Sequence, residues 1–392
     1  MDIPQIQKYL RQLNLSSWLL YDFRGLNPIA QRVAGLAGRK ITRRWFCCIF
    51  LDRSPIWLIQ HIEQSHFQDV PGEVWVYRSW QELKSKLTQL LISQSVIAME
   101  YSPNIPYVSR VDAGTLELVK SVGVEVVSSA NLVQYIEGKL SMEQLKGHQQ
   151  TAHQILSIKT AAFKWIGENI RNGQSITEYT VQQRIMADFD YCELVTDFPP
   201  IVAVNANSSD PHYSPTSVSY QPIEKGDLIL IDLWAKQNDP LAVFADTTWM
   251  GYVGNQIPDR YSQIFEIVRQ ARDQAVEFIR QRILSGEAIY GFEVDDVVRN
   301  WIGNAGYGDY FTHRTGHSIG LEVHGNGANM DNFESKDERQ LIEGCCFSIE
   351  PGIYFSGDFG VRTEIDVFLA PVDQGGVIVS TDPTQKSVVP LL

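Results

Sequence analysis

The run Leu228-Ile229-Leu230-Ile231-Asp232-Leu233-Trp234 reads as a central, buried β-strand with a carboxylate in its middle. An ionised carboxylate in apolar surroundings costs several kcal/mol unless it is paired, protonated or metal-bound. Asp246 repeats the problem fourteen residues later, in Val243-Phe244-Ala245-Asp246-Thr247-Thr248-Trp249. The polar segment 236–240 between them predicts a turn that sets both aspartates on neighbouring strands. Either one alone is equally readable as a structural acid held by backbone amides and hydroxyls.

The pattern then recurs. Glu350 lies in Cys346-Phe347-Ser348-Ile349-Glu350-Pro351-Gly352-Ile353-Tyr354, and Glu364 in Gly360-Val361-Arg362-Thr363-Glu364-Ile365-Asp366-Val367-Phe368. Read as one strand, the latter places Val361, Thr363, Ile365 and Val367 on one face and Arg362, Glu364 and Asp366 on the other. A purely structural reading pairs Glu364 with Arg362. Four acids in four apolar strands nevertheless exceed what a core ordinarily holds.

Of eight histidines, His212, His313, His317 and His324 fall in the same half of the chain as these acids. His313 and His317 have the i, i+4 spacing of a helical metal pair, but the glycines around them argue against a helix. One imidazole added to four carboxylates makes an oxygen-rich donor set for two divalent cations, suited to Mn²⁺, Co²⁺ or Zn²⁺. The glycine-rich stretches 303–308 and 325–327 do not join a strand to a helix as a phosphate cradle must, so they read as loops. No Gly-x-Ser-x-Gly elbow is present.

Composition removes other classes. With 33 basic and 46 acidic side chains the net charge is −13, which disfavours nucleic acid or an anionic membrane as a partner. The first residues lack the basic start and apolar core of a signal peptide, and no apolar run approaches a membrane span. Five cysteines, four of them in the adjacent pairs Cys47-Cys48 and Cys345-Cys346, suit buried thiols in a reducing, cytoplasmic compartment.

Strand-like and helix-like segments alternate through the first 135 or so residues. SWLLYDF follows an amphipathic helix; FCCIFL and PIWLIQ form a predicted hairpin; QELKSKLTQLL has helical spacing. Ser141-Met142-Glu143-Gln144 is a capping-box pattern opening a long helix that stops at Asn172-Gly173. Further helices are predicted from about Thr177, near 260–283 and near 293–305, around a mostly antiparallel sheet. The division falls just before Ser141: residues 1–138 form a small α/β domain and 139–392 a larger α+β domain.

Taken in order, ILIDLWA, FADTTW, TGHSIGLEVHG, SIEPGIY and GVRTE resemble the pita-bread metallopeptidases, a family that includes methionine aminopeptidase, aminopeptidase P and prolidase. The likeness is to the proline-directed branch and spans the whole chain, with residues 1–138 similar to the creatinase/prolidase N-terminal domain. It implies an α+β pita-bread fold and a dinuclear hydrolase that removes the residue ahead of proline from small peptides. It implies two divalent ions, Mn²⁺ first with Co²⁺ or Zn²⁺ as alternatives, and Asp232, Asp246, His317, Glu350 and Glu364 as their ligands. By the same resemblance Asp246 and Glu364 bridge both ions, Asp232 holds one, and His317 and Glu350 hold the other. A hydroxide between the ions attacks the scissile carbonyl, with Glu350 as general base.

His212 and His324 match histidines that hydrogen-bond the substrate, although His212 by itself reads as a solvated loop residue. Arg362 matches an arginine behind the site that orients a carboxylate or Asp232, and Tyr354 joins it there. His313 matches no ligand position and reads as a loop or substrate-pocket residue. A homodimer or homotetramer is also implied. Three departures surround the expected pocket: a longer Asp232–Asp246 connection, Trp249 where the family commonly has arginine, and Gly325 where Glu or Asp is frequent. Two rival readings are a non-peptide C–N hydrolase of the creatinase or ectoine-hydrolase type and a binding module that has lost catalysis. Both predict lost ligands, and all five are kept.

Overall fold

Two compact units divide the chain, Met1–Ile136 and Glu137–Leu392, in a computed structural model that describes all residues Met1–Leu392.

In the first unit the elements run α1 (Ile3–Gln12), β1 (Ser17–Asp22), α2 (Pro28–Ala34), β2 (Trp45–Phe50), β3 (Ile56–Gln60), β4 (Glu73–Tyr77), α3 (Trp80–Leu91), β5 (Val96–Met99), α4 (Ala113–Lys120), β6 (Glu125–Ser128) and α5 (Ala130–Glu137). The strands make one mixed sheet in the order β4-β3-β2-β1-β5-β6. The predicted hairpin is β2–β3, paired antiparallel with Cys47 opposite Trp57. Side-chain alternation covers both faces. Trp18, Leu20, Trp45, Cys47 and Trp57 pack with residues of α1, α2 and α5, while Leu19, Tyr21, Phe46, Cys48 and Leu58 pack with those of α3 and α4. Adjacent Cys47 and Cys48 therefore point to opposite sides of the sheet, and all five cysteines are free thiols.

The second unit opens with α6 (Met142–Arg171), its N-terminus closed by the reciprocal Ser141–Gln144 capping box. Then come β7 (Ile176–Thr177), α7 (Glu178–Tyr191), β8 (Leu194–Val195), β9 (Ile201–Val204), β10 (Pro222–Ile223), β11 (Leu228–Gln237), β12 (Ala245–Tyr252), α8 (Asp259–Ser285), α9 (Gly291–Asn304), β13 (Ser318–Ile319), β14 (Cys346–Ile349), β15 (Gly352–Phe355), β16 (Phe359–Arg362), β17 (Ile365–Leu369), β18 (Val377–Val379) and β19 (Val389–Pro390). Antiparallel β11 and β12 form its centre, with Asp232 opposite Thr248 and Asp246 opposite Trp234. Ile229, Ile231, Leu233 and Ala235 pack with Ile155, Ala162, Phe163, Val181 and Ile185 of α6 and α7. Alternation then turns Asp232, and by register Asp246 and Thr248, to the opposite face. Gly251 of β12 lies where the Phe163 ring approaches so closely that a Cβ would collide with it.

Two sequence expectations need correction. CFSIEPGIY and GVRTEIDVFL are not single strands. The first breaks at Glu350-Pro351 and the second at Thr363-Glu364. Pro351 has no N–H to give a ladder, and pairing changes there: β14 pairs with β17, ending at Ile349–Ile365, while β15 pairs with β16, beginning at Gly352–Arg362. The two breaks thus face each other, and both glutamates sit in them rather than inside strands. No helix of the chain is long and apolar enough to cross a membrane.

Candidate metal centre

Asp232 and Asp246 are held by the β11–β12 ladder, two residues apart in register and on the same face. Glu364 arrives from the β16–β17 break, where its N–H donates to the Thr248 carbonyl (3.2 Å). Glu350 comes from the facing break, and Ser348 ties it to the histidine loop. The Ser348 hydroxyl accepts from the His317 N–H (3.0 Å) and lies 3.2 Å from Glu350 Oε1. Gly316 passes so close to the Ser348 carbonyl that a Cβ would overlap it, which fixes how His317 enters.

The five side chains converge. His317 Nε2 is 3.3 Å from Glu350 Oε1 and 3.8 Å from Asp246 Oδ2. Donor atoms of Asp246, His317 and Glu364 all lie within 4.8 Å of one another. His317 Nδ1 faces its neighbour's carbonyl, Ser318 O, at 3.3 Å, the arrangement that leaves Nε2 as the free lone pair. Arg362 closes the other side: Nη2 donates to Asp232 Oδ2 (2.6 Å) and Nε to Thr248 Oγ1 (3.1 Å), and Thr248 donates to Glu364 Oε2 (2.8 Å). Arg362 Nη1 also reaches the Tyr354 hydroxyl (3.3 Å).

Without a cation this cluster is frustrated. Burial raises the pKa of Asp246, and the charges of Asp232, Asp366 and Glu350 add to it. Burial likewise raises Glu364, helped by Asp246 and Glu350. Asp232 is raised by burial against the pull of Arg362, and Glu350 is pushed up to about 7 by burial and Asp232. His317 is held well below its ordinary value by burial and by His324 and Arg314. Asp232 Oδ1, Asp246 Oδ1 and Glu364 Oε1 are buried with no hydrogen-bond partner, which protein groups seldom tolerate. Four carboxylates and one imidazole aimed inward, with orphaned oxygens, fit hard or borderline divalent cations.

The other expected residues divide. His324 stacks edge-on against His317, centroids 4.3 Å apart, and burial together with Arg314 pushes its pKa down to about 4. His212 lies exposed in the loop after β9, close enough to His324 to oppose its protonation. Glu178 at the start of α7 holds that loop, accepting from Val204 N (2.7 Å), Asn207 Nδ2 (2.9 Å), Tyr213 OH (2.6 Å) and Gln221 N (2.6 Å). Trp249 corrects an expectation: it does not border the pocket but packs with the helix-side cluster, because it is one residue out of phase with Thr248. Gly325 sits tight against Ser318, which its N–H meets at 2.7 Å.

Sequence reading missed several contributors. His313 Nε2 is 2.8 Å from the Tyr354 hydroxyl, so it supports Arg362 indirectly. Asp366 Oδ2 accepts from the Asp246 N–H (2.8 Å). Arg314 stands beside the histidines. Thr248 was findable, since period-two alternation puts it on the face of Asp246. Arg314 and His313 occupy a loop, where no periodicity signals direction.

Known proteins fit this picture. The chain is 35% identical over 205 residues to an Xaa-Pro dipeptidase of Lactobacillus delbrueckii subsp. lactis, a match covering 52% of this chain and 50% of that one. It is 30% identical over 268 residues to an Xaa-Pro dipeptidase of Pyrococcus horikoshii, covering 65% and 72%. The chain thus spans about half the length of the Lactobacillus relative. The crystal structure of dipeptidase PepE from Mycobacterium ulcerans superposes with a TM-score of 0.72 at 20% identity, covering 99% of this chain and 97% of that one, which shows the same two-domain pita-bread fold. The model of metallopeptidase family M24 matches residues 150–371, a stretch that contains every residue of the cluster. The chain belongs to metallopeptidase family M24.

Proposed function

We propose that this protein is a dinuclear metal-dependent hydrolase that releases the residue ahead of proline from short peptides, as an Xaa-Pro dipeptidase or aminopeptidase. One observation carries the reading: Asp232, Asp246, His317, Glu350 and Glu364 converge with buried carboxylate oxygens that no protein group satisfies. The names of the similar Xaa-Pro dipeptidases support the substrate class.

Those five residues would hold two divalent ions, Mn²⁺ being the one an oxygen-rich set with one imidazole suits best, with Co²⁺ or Zn²⁺ as alternatives. When bound, such ions supply Lewis acidity, polarising a scissile carbonyl and acidifying a water. The chain's own residues do the rest. Glu350, the ligand most open to the cleft with 15% of its side chain exposed, takes the proton as general base. His324 and His212 line the open side and donate hydrogen bonds to substrate and to the developing oxyanion. Arg362, with Tyr354 behind it, keeps Asp232 ionised and oriented.

Residues 1–138 serve as a creatinase/prolidase-type N-terminal domain in this reading. The free thiols support a cytoplasmic setting, and the family likeness supports a homodimer or homotetramer. No observation favours the non-peptide or non-catalytic readings.

A substrate panel tests the proposal. Metal-loaded protein should cleave Xaa-Pro dipeptides or longer Xaa-Pro peptides and lose that activity with chelator. Glu350→Ala should abolish turnover with circular dichroism unchanged. Cleavage of neither peptide class, or a fully active Glu350→Ala protein, overturns it.

A further inference from the structure

Helix α9 buries a carboxylate on its inner face. Asp295 is fully buried, and all four of its acceptor positions are taken. Oδ1 accepts from the Thr315 N–H (3.0 Å) and the Thr315 hydroxyl (2.6 Å). Oδ2 accepts from the Asn332 N–H (2.8 Å) and from Nε of Arg299, one helical turn on (2.7 Å). Arg299 extends the hold: Nη1 donates to the Phe311 carbonyl (3.2 Å) and Nη2 to the His313 carbonyl. Two side chains of one helix thus fix the backbone at residues 311, 313 and 315.

A buried ion pair is seldom worth more stability than apolar side chains filling the same space, so the pair is explained by what it holds. The Thr315 carbonyl accepts the Glu350 N–H (2.8 Å), and His317 follows two residues later. The His317 carbonyl in turn accepts the Ser348 N–H (2.8 Å). Segments 315–317 and 348–350 are therefore tied into one strip. That strip carries both His317 Nε2 and Glu350 Oε1, which lie 3.3 Å apart. Two ligand atoms each about 2.1 Å from one cation stand roughly 3.0–3.4 Å apart at ordinary coordination angles. Asp232, Asp246 and Glu364 are anchored elsewhere, on the β11–β12 ladder and at the Thr248 carbonyl.

Resting on the dinuclear reading above, we propose that Asp295, braced by Arg299, is a positioning residue for one of the two ions. It sets the separation of His317 and Glu350 and so the affinity for the ion those two share, while the ion on the Asp232 side is held independently.

Stepwise Mn²⁺ titration of the intact chain, stripped of metal and set against a competing chelator, tests this in Asp295→Asn. Asparagine keeps the shape of the side chain but turns an N–H toward groups that are themselves donors, either Thr315 or Arg299 with Asn332. One of the two binding steps should weaken roughly 10–100-fold while the other stays within about threefold. His317→Ala should weaken the same step, and the two changes combined should fall well short of the product of their separate effects. At limiting Mn²⁺ kcat should drop and be restored by excess Mn²⁺ with KM unchanged, which a general loss of stability would not produce. If Asp295→Asn does not fold, Arg299→Gln, at a partly exposed side chain, should weaken the same step to a smaller degree. Equal weakening of both steps, unchanged Mn²⁺ affinities with a lower melting temperature, or independent effects of Asp295→Asn and His317→Ala overturns the proposal. A parent protein that binds fewer than two ions overturns the dinuclear reading itself, and this inference with it.

Discussion

Arg362 is the one cation inside the ring of acids, and its guanidinium touches Asp232, Thr248 and Tyr354 at once. Replacing it with methionine leaves Asp232 ionisable, buried and unheld. Arg362→Met should therefore reduce metal affinity and kcat by roughly 10–100-fold, read by metal titration and initial rates on an Xaa-Pro substrate. Glu364 tests the opposite side of the balance. In metal-free protein burial and its acidic neighbours raise the Glu364 pKa, so folding must either hold a charge there or take up a proton, and Glu364→Gln should stabilise that form by about 1–3 kcal/mol. The same variant should lose the stabilisation that added Mn²⁺ confers on the parent. Melting curves with EDTA and with Mn²⁺ measure both, and a Glu364→Gln protein less stable than the parent in EDTA would contradict the frustration inferred from the orphaned oxygens.

At the scale of elements, the facing strand breaks do what a continuous ladder cannot. They free Glu350 and Glu364 from strict alternation and bring both toward the inner face of β11 and β12. The loop carrying His212 is placed by a different device, the single buried acceptor Glu178, whose four partners come from β9, the turn after it and the segment before β10. Glu178→Ala should cost about 2–4 kcal/mol of stability through unsatisfied donors. It should lower kcat/KM by at least about tenfold through a displaced His212, while the bound metal stays at parent stoichiometry. A variant that loses metal in step with activity would show that Glu178 supports the whole centre and not this loop. Local signals made much of this scale readable: the Ser141 capping box, the Asn172-Gly173 stop and the β2–β3 hairpin all form where residue chemistry puts them. The breaks were not readable, because whether Glu350-Pro351 interrupts a strand depends on which partner pairs on each side.

On the scale of the second unit, His148 pins three distant segments together. It is fully buried; Nδ1 lies 2.6 Å from the Phe244 carbonyl, Nε2 lies 2.6 Å from Ser380 Oγ, and Asp366 stands 3.9 Å away. Burial lowers its pKa to about 4 from an ordinary 6.5. Between those values the unfolded chain binds a proton that the folded chain refuses. Stability is full above about pH 6.5 and is lost as pH falls toward 4, by about 3 kcal/mol for this group. Denaturant unfolding of metal-free protein across that window should show the slope, and His148→Gln should flatten it.

The sequence by itself determined that four acids and a histidine accompany apolar strands in a fixed order, that α6 begins at a capping box, and that Asp232 and Asp246 lie on neighbouring strands. Each of these follows from rules that act within a few residues: side-chain alternation, helix caps and the incompatibility of charge with an apolar run. Only the tertiary structure decided that Glu350 and Glu364 sit in facing breaks, that Trp249 turns to the helices, and that Arg362 meets Asp232 across 130 residues of chain. Those outcomes depend on which strands pair and in which register, and pairing partners far apart in the chain are chosen by the burial of both faces together, which no local spacing encodes.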